Sequence, residues 1–176
     1  RYVVPASKAV ADLLLAYQFN SSAFDDNLGI PESGNGIPDI LDEARYELEW
    51  LFKMQDQASG GVYHKVTCAD FPGTVMPEEE TEELIVSKIS DAATADFAAV
   101  MALSYETYKN IDGAFAEKCL NAAKKAWNYV GDKKTLISFS NPKDILTGEY
   151  GDGSLTDEMM WADAQLFKAT GDSKYL

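Results

Sequence analysis

The sequence is poor in the residues that most often carry metal or redox chemistry: one histidine, His64, and two cysteines, Cys68 and Cys119, in 176 residues. Two cysteines that far apart make neither a disulfide framework nor a metal-ligand spacing. Basic residues are also scarce, with 15 Lys and Arg against 29 Asp and Glu and a net charge of −14. Binding to a phosphate backbone needs lysine and arginine to release counterions, so nucleic acid and anionic membrane surfaces are poor partners for this chain. No run approaches the roughly 20 uncharged residues of a membrane-spanning helix. The opening Arg1-Tyr-Val-Val-Pro5 is not read as a signal peptide, because Lys8 and Asp12 interrupt its apolar stretch. The first residue is not Met and the apolar segment begins at once, so residues are expected to precede it. With 46% apolar and 25% charged residues, the composition is that of a folded globular chain rather than an acidic tail. One domain over residues 1–176 with no internal boundary is expected.

Helical periodicity dominates. Val10, Leu13, Leu14 and Tyr17 share a face of a first helix, Ala6 to Phe19, behind Pro5. A polar loop rich in Asn, Asp, Ser and Gly runs from Asn20 to Gly36, and Pro38 with Asp39, Asp42 and Glu43 opens a second helix that carries Ile37, Leu41, Ala44, Leu48 and Leu51 on one face. Gly60-Gly61 follows its end. A third helix, Ser90 to Lys109, holds Ala92, Ala93, Ala95, Ala98, Ala99 and Ala102, which let other helices approach closely, and two acids, Asp91 and Asp96, that need a partner or solvent. Exposed apolar faces on this helix would call for further chain or a second copy to cover them. A fourth helix, Ala114 to Val130, places Cys119 in the core; a fifth, Leu155 to Ala169, ends at Gly171.

Two stretches lack periodicity: Gly61 to Lys88, and Gly131 to Ser154. Loops longer than about 15 residues in a compact domain are commonly functional, so the first is a candidate wall of a binding site. Its acidic run, Glu78 to Glu83, reads as a solvated face. Val62, Tyr63 and Val66 form at most a short extended piece, and no segment alternates long enough to make a sheet. The fold class is all-α.

The wording of several segments is more specific than their periodicity. Glu32-Ser-Gly-Asn-Gly-Ile-Pro-Asp-Ile-Leu-Asp-Glu-Ala-Arg-Tyr-Glu-Leu-Glu-Trp-Leu-Phe-Lys-Met-Gln55 resembles the second-helix signature of glycoside hydrolase family 9. Gly60-Gly-Val-Tyr-His-Lys-Val-Thr67, Phe71-Pro-Gly-Thr-Val-Met-Pro-Glu78, Ala93-Thr-Ala-Asp-Phe-Ala-Ala99 and Thr147-Gly-Glu-Tyr-Gly-Asp152 follow in the order that family uses. The resemblance spans essentially the whole chain. It implies part of an (α/α)6 barrel, roughly helices two to six of twelve, from an inverting, secreted endo-β-1,4-glucanase acting on cellulose or related β-glucans, in the branch that carries an immunoglobulin-like module before the barrel. It also implies the missing half of the barrel and cellulosomal or carbohydrate-binding modules as partners.

An inverting glycosidase needs one carboxylic acid to protonate the leaving oxygen and one carboxylate to activate water across the ring, about 6.5 to 9.5 Å apart. The family keeps its base in an Asp-Ala-Gly-Asp motif before a segment like Arg1–Pro5 and its acid in a Glu near the end of the barrel. Neither motif has a match among these residues, so no catalytic residue is assigned and the chain alone is expected to be inactive. Pairs adjacent in sequence, such as Asp25 with Asp26, Asp39 with Asp42 or Asp157 with Glu158, read as dipole or surface residues rather than a pair facing across a cleft.

The segment Asp152-Gly-Ser-Leu-Thr-Asp-Glu158 gathers three carboxylates, hydroxyls and loop carbonyls, the hard oxygen donors that calcium takes. The resemblance puts a structural calcium at Asp157 and Glu158, with Ser154 and Asp152 as further ligands; helix capping by Thr156 and Asp157 is the alternative. Cys68 and His64 supply two of the four ligands of a zinc site, so no zinc is expected. Sugar C–H faces pack on aromatic planes, and Tyr63, Phe71, Tyr150 and Trp161 are the aromatics that could serve. Trp161 reads as core. Tyr150, Tyr63 and His64 are the expected substrate-contacting residues. The rival readings are a helical module that binds β-glucan without reaction and a purely structural all-α scaffold.

Overall fold

The computed structural model describes residues 1–131 and 133–176. Five helices carry the fold: α1 (Val3–Phe19), α2 (Asp39–Lys53), α3 (Asp91–Tyr108), α4 (Gly113–Gly131) and α5 (Thr156–Thr170). Among the described residues no helix is long and apolar enough to cross a membrane. α1 begins three residues earlier than its periodicity suggests. First-turn amides have no intrahelical acceptor, so Pro5 removes nothing there, and the Val3 N–H donates to the His64 carbonyl at 3.0 Å. Pro38 stands just before α2 with extended backbone rather than inside the first turn. Gly171 takes φ +70° after α5, as its sequence position predicts.

α3 is the centre of the molecule. Every residue from Asp91 to Ser104 is buried, because its alanines let α1, α4 and α5 close on it from different sides. No apolar face of α3 is exposed, and this corrects the expectation of an exposed face there that would call for a covering partner. Cys119 is fully buried between α3 and α4, and burial pushes its thiol up to about 12, so it is an inert core residue. Several polar groups of this core find partners: Ser104 and Thr107 donate to the carbonyls of Val100 and Leu103, the Tyr108 hydroxyl donates to the Leu41 carbonyl, and Gln18 on α1 reaches the Thr107 hydroxyl at 2.8 Å, whereas the Ser7 and Tyr175 hydroxyls are buried without one. Trp161 is partly buried against the core, and the Trp127 indole N–H donates to Asp163 at 2.6 Å, tying α4 to α5.

The structure does contain strands. β1 (Val62–Tyr63) pairs antiparallel with β4 (Ile89–Ser90), and β2 (Val66–Thr67) with β3 (Ile85–Val86). Two residues cannot show alternation, and each strand meets its partner about twenty residues or more away, so local pattern does not reveal them. These ribbons close the long stretch before α3 into a structured loop. The acidic run within it is largely exposed, with Pro77–Glu79 in a single 3-10 turn.

Candidate cleft wall and acidic centres

The N-terminal ends of α1 and α3, the C-terminal end of α2 and both irregular stretches meet at one end of the molecule. Hydrogen bonds define the junction. Tyr63 N–H donates to the Met54 carbonyl at 2.9 Å, Val62 N–H to the Thr94 hydroxyl at 2.9 Å, and Ile137 N–H to the Asp91 carboxylate at 2.8 Å. Asp91 also pairs with Lys133, and its place in the first turn of α3 suits a carboxylate there.

His64 lies inside this junction. It is 0% exposed and its ring stacks on Phe139 with centroids 3.7 Å apart. Ser90 Oγ accepts from the Ala93 N–H, leaving its own proton for His64 Nδ1 at 2.8 Å, and His64 Nε2–H then donates to the Glu149 carbonyl at 2.8 Å. Both nitrogens are therefore committed to a neutral ring, and burial lowers the pKa from 6.5 to about 4. This corrects the expectation that His64 touches substrate: it supports the surface from beneath.

Tyr150 is on that surface. Its side chain is 51% exposed, its ring packs at 4.9 Å on Tyr2, and its φ of +48° makes it the one non-glycine residue with positive φ among the described residues. Tyr63 is half-buried in β1 opposite Ile89 and packs against the core. Phe71 is 61% exposed on the long loop. Sequence reasoning missed Lys65, which is fully buried and whose ammonium points into the loop that carries Tyr150. A lysine offers no local sign of burial, since the type is almost always exposed.

Two acidic stretches stand out, and among the described residues only the second brings three carboxylates within ligand distance of one another. At the start of α5, Asp152 accepts from the Ser154 N–H, and the Ser154 and Thr156 hydroxyls lie 3.0 Å apart. Glu158 Oε2 is buried without a hydrogen-bond partner. Burial and the neighbouring Asp157 and Asp152 raise the pKa of Glu158; burial, then Glu158, Asp157 and Asp152, push Asp96 on α3 up to about 7. The sequence left Asp96 without a partner, and the structure places it in the field of this group. Beside it opens a hollow of about 580 Å³ lined by Leu136, Leu155, Met159 and Met160 together with Asp152 and Ser154.

The other centre is Asp26, Asp39 and Asp42, whose ligand atoms lie within 4.8 Å of one another. Asp39 and Asp42 stand in the first turn of α2, where the helix dipole favours a carboxylate, but they are buried rather than on the surface. Asp39 is fully buried and accepts from the Leu28 N–H and the Ser33 hydroxyl, Asp42 accepts from Asn35, and Asp26 accepts from the Gly34 and Gly36 N–H groups at 2.6 Å each. Those two amides hold Asp26 below the usual carboxylate range, while burial raises Asp42. The donors shape the Asn20–Pro38 loop.

Comparison with known proteins places this arrangement. Endoglucanase D of Acetivibrio thermocellus is 39% identical over all of this chain and 28% of its own length. The xyloglucan-specific endo-beta-1,4-glucanase of Bacteroides ovatus is 35% identical over 99% of this chain and 32% of its own. The structure of AaCel9A in complex with a cellobiose-like isofagomine superposes with a TM-score of 0.90 at 42% identity, over 99% of this chain and 34% of that one. The chain thus spans about a third of the length of these relatives, and its five helices are part of an (α/α)6 barrel. The pattern of Glycosyl hydrolase family 9 matches residues 1–176 throughout, and the chain belongs to that family.

Proposed function

We propose that residues 1–176 form one wall of the substrate cleft of an inverting endo-β-1,4-glucanase acting on cellulose or a related β-glucan. The observation that carries this reading is Tyr150, a half-exposed aromatic held in a rarely populated backbone conformation after three hydrogen-bonded carbonyls. Strained residues of this kind persist where the surroundings over-determine them, and they gather at ligand sites. A flat ring presented on a rigid support suits the C–H face of a glucose unit. The names of the relatives agree in substrate class.

The general acid and base of this reading lie outside residues 1–176. The carboxylates that converge here, Asp26, Asp39 and Asp42, are engaged by loop amides and side chains. The wall binds and orients the glucan while carboxylates from elsewhere move the protons, about 6.5 to 9.5 Å apart on opposite faces of the scissile bond.

The start of α5 has the donor chemistry of calcium, an all-oxygen set with one buried carboxylate oxygen without a partner, although Asp152, Asp157 and Glu158 do not converge within 4.8 Å of one another as Asp26, Asp39 and Asp42 do. Asp157 and Glu158, with Ser154 and Asp152, would hold the ion. It would supply positive charge to this group and fix the turn that follows Tyr150.

The test is an assay of reducing-sugar release from soluble cellulose by the isolated 176 residues and by the longest polypeptide that carries them. Turnover by the long form alone is expected. Turnover by the 176 residues would overturn the placement of the acid and base, and tight binding of cello-oligosaccharides by the long form without turnover would replace the enzyme with a binding module.

A further inference from the structure

Three consecutive carbonyls lead up to Tyr150, and each is held by a different side chain. Asn141 Nδ2 donates to the Thr147 carbonyl at 2.7 Å, Lys65 Nζ to the Gly148 carbonyl at 2.7 Å, and His64 Nε2 to the Glu149 carbonyl at 2.8 Å. The next residue is Tyr150 itself, with φ +48°. Lys65 is the centre of this arrangement. Besides Gly148 it reaches Asn141 Oδ1 at 2.7 Å and Thr147 Oγ1 at 3.1 Å, with the Thr147 carbonyl at 3.5 Å, so the three N–H donors of the ammonium are shared among four loop oxygens.

All of these acceptors are uncharged, and among the described residues no carboxylate lies within ion-pairing distance of Lys65. Burying a cation without a directly paired counter-charge is costly, the Glu149 carboxylate acting on Lys65 only at longer range, and an apolar side chain would fill the same space at lower cost. The main chain of Lys65 cannot yield, because its N–H donates to Ser87 Oγ at 3.0 Å and its carbonyl accepts from the Ser87 N–H at 2.9 Å. What the lysine provides in return is a fixed reach from the β2–β3 ribbon to the Tyr150 loop. The Tyr2 ring completes the assembly, with Lys65 Nζ 5.3 Å from its centroid and the Tyr150 ring packed on it at 4.9 Å, tilted by 58°.

We propose that Lys65 is a positioning residue for glucan binding, holding the Thr147–Glu149 carbonyls so that Tyr150 is presented to the substrate in its left-handed conformation. This rests on the reading of Tyr150 as a glucan-contacting residue. Lys65 itself touches no substrate, being fully buried.

The test uses the longest active polypeptide carrying residues 1–176, with Lys65→Met, Tyr150→Ala and the double variant assayed on cellopentaose well below their melting temperatures, per folded molecule. Each single substitution is expected to lower kcat/KM at least tenfold, and the double variant to fall within about twofold of the weaker single. A purely structural lysine would lower the melting temperature yet leave turnover of the folded molecule unchanged, or lower it by a factor that multiplies with that of Tyr150→Ala; either result overturns the proposal. If Tyr150→Ala leaves turnover unchanged, the reading of Tyr150 has failed and the proposal falls with it. Should Lys65→Met not fold, Asn141→Ala removes one acceptor at a half-buried position and takes its place in the same cycle, with at least a threefold loss expected and a multiplicative loss or none overturning the idea.

Discussion

His64 and Phe139 stack with their ring planes 8° from parallel, and this contact joins the strand β1 region to the loop before α5. The neutral imidazole is part of the junction, since its Nδ1 accepts from Ser90 and its Nε2 donates to Glu149. Protonation would break the first of these bonds and place a charge beside Lys65.

The sign of the resulting pH dependence follows. His64 titrates at about 4 in the folded protein against 6.5 without burial, so between these values the unfolded chain binds the proton and the folded chain does not. The contribution of His64 to stability is complete above pH 6.5 and is lost as the pH falls toward 4. Urea unfolding midpoints measured from pH 7 to pH 4 should fall over this window, and less steeply in His64→Phe. Equal slopes in the two proteins would show that His64 does not titrate as described.

The α2–β1 turn should tolerate no side chain at Gly60. Its φ is +88°, and a Cβ there would lie 2.7 Å from the Lys125 carbonyl oxygen, a backbone atom of α4. Gly29 shares the conformation, with φ +84°, yet a Cβ there meets nothing within 4 Å. Gly29→Ala should therefore cost only the left-handed backbone, about 1–2 kcal/mol. Gly60→Ala should cost more by about 1–3 kcal/mol of overpacking, and comparable losses by denaturant titration would remove the argument from close approach.

Leu48 on α2 and Ala99 on α3 test the core from opposite directions, both being fully buried. Leu48→Ala should destabilise by about 2–5 kcal/mol through the lost apolar burial and the cavity left behind. Ala99→Leu should cost about 1–3 kcal/mol or more, because the helices around α3 have no room to part. Either variant at wild-type stability would contradict the central place of α3.

Calcium should raise the melting temperature of the longest polypeptide that carries this chain. A ligand that binds only the folded state adds about 2.7 kcal/mol at a hundredfold excess over Kd. Asp157→Asn and Glu158→Gln should each abolish most of the rise, and magnesium should not reproduce it. A rise that survives both substitutions would locate the ion elsewhere.

Much of this architecture is legible in local sequence. The spacing of Leu41, Ala44, Leu48 and Leu51 defines one face of α2, the alanines of α3 announce a helix approached from several sides, and Gly171 marks the end of α5. These signals are legible because helices are built from contacts three and four residues apart, so pattern and structure share one length scale. The wording of Glu32–Gln55, of Ala93–Ala99 and of the segments around His64, Phe71 and Tyr150 carried the family resemblance, which no periodicity supplied.

The tertiary structure alone decided what lies beneath the candidate cleft. Four two-residue strands, the burial of His64 and Lys65, and the field of Glu158 and Asp157 on Asp96 all join groups that are far apart in the chain. Lys65 is the clearest case: 82 and 83 residues separate it from Thr147 and Gly148, whose oxygens it holds. Residue type predicts solvent for a lysine, and only the convergence of loop oxygens inside the fold makes its burial stable.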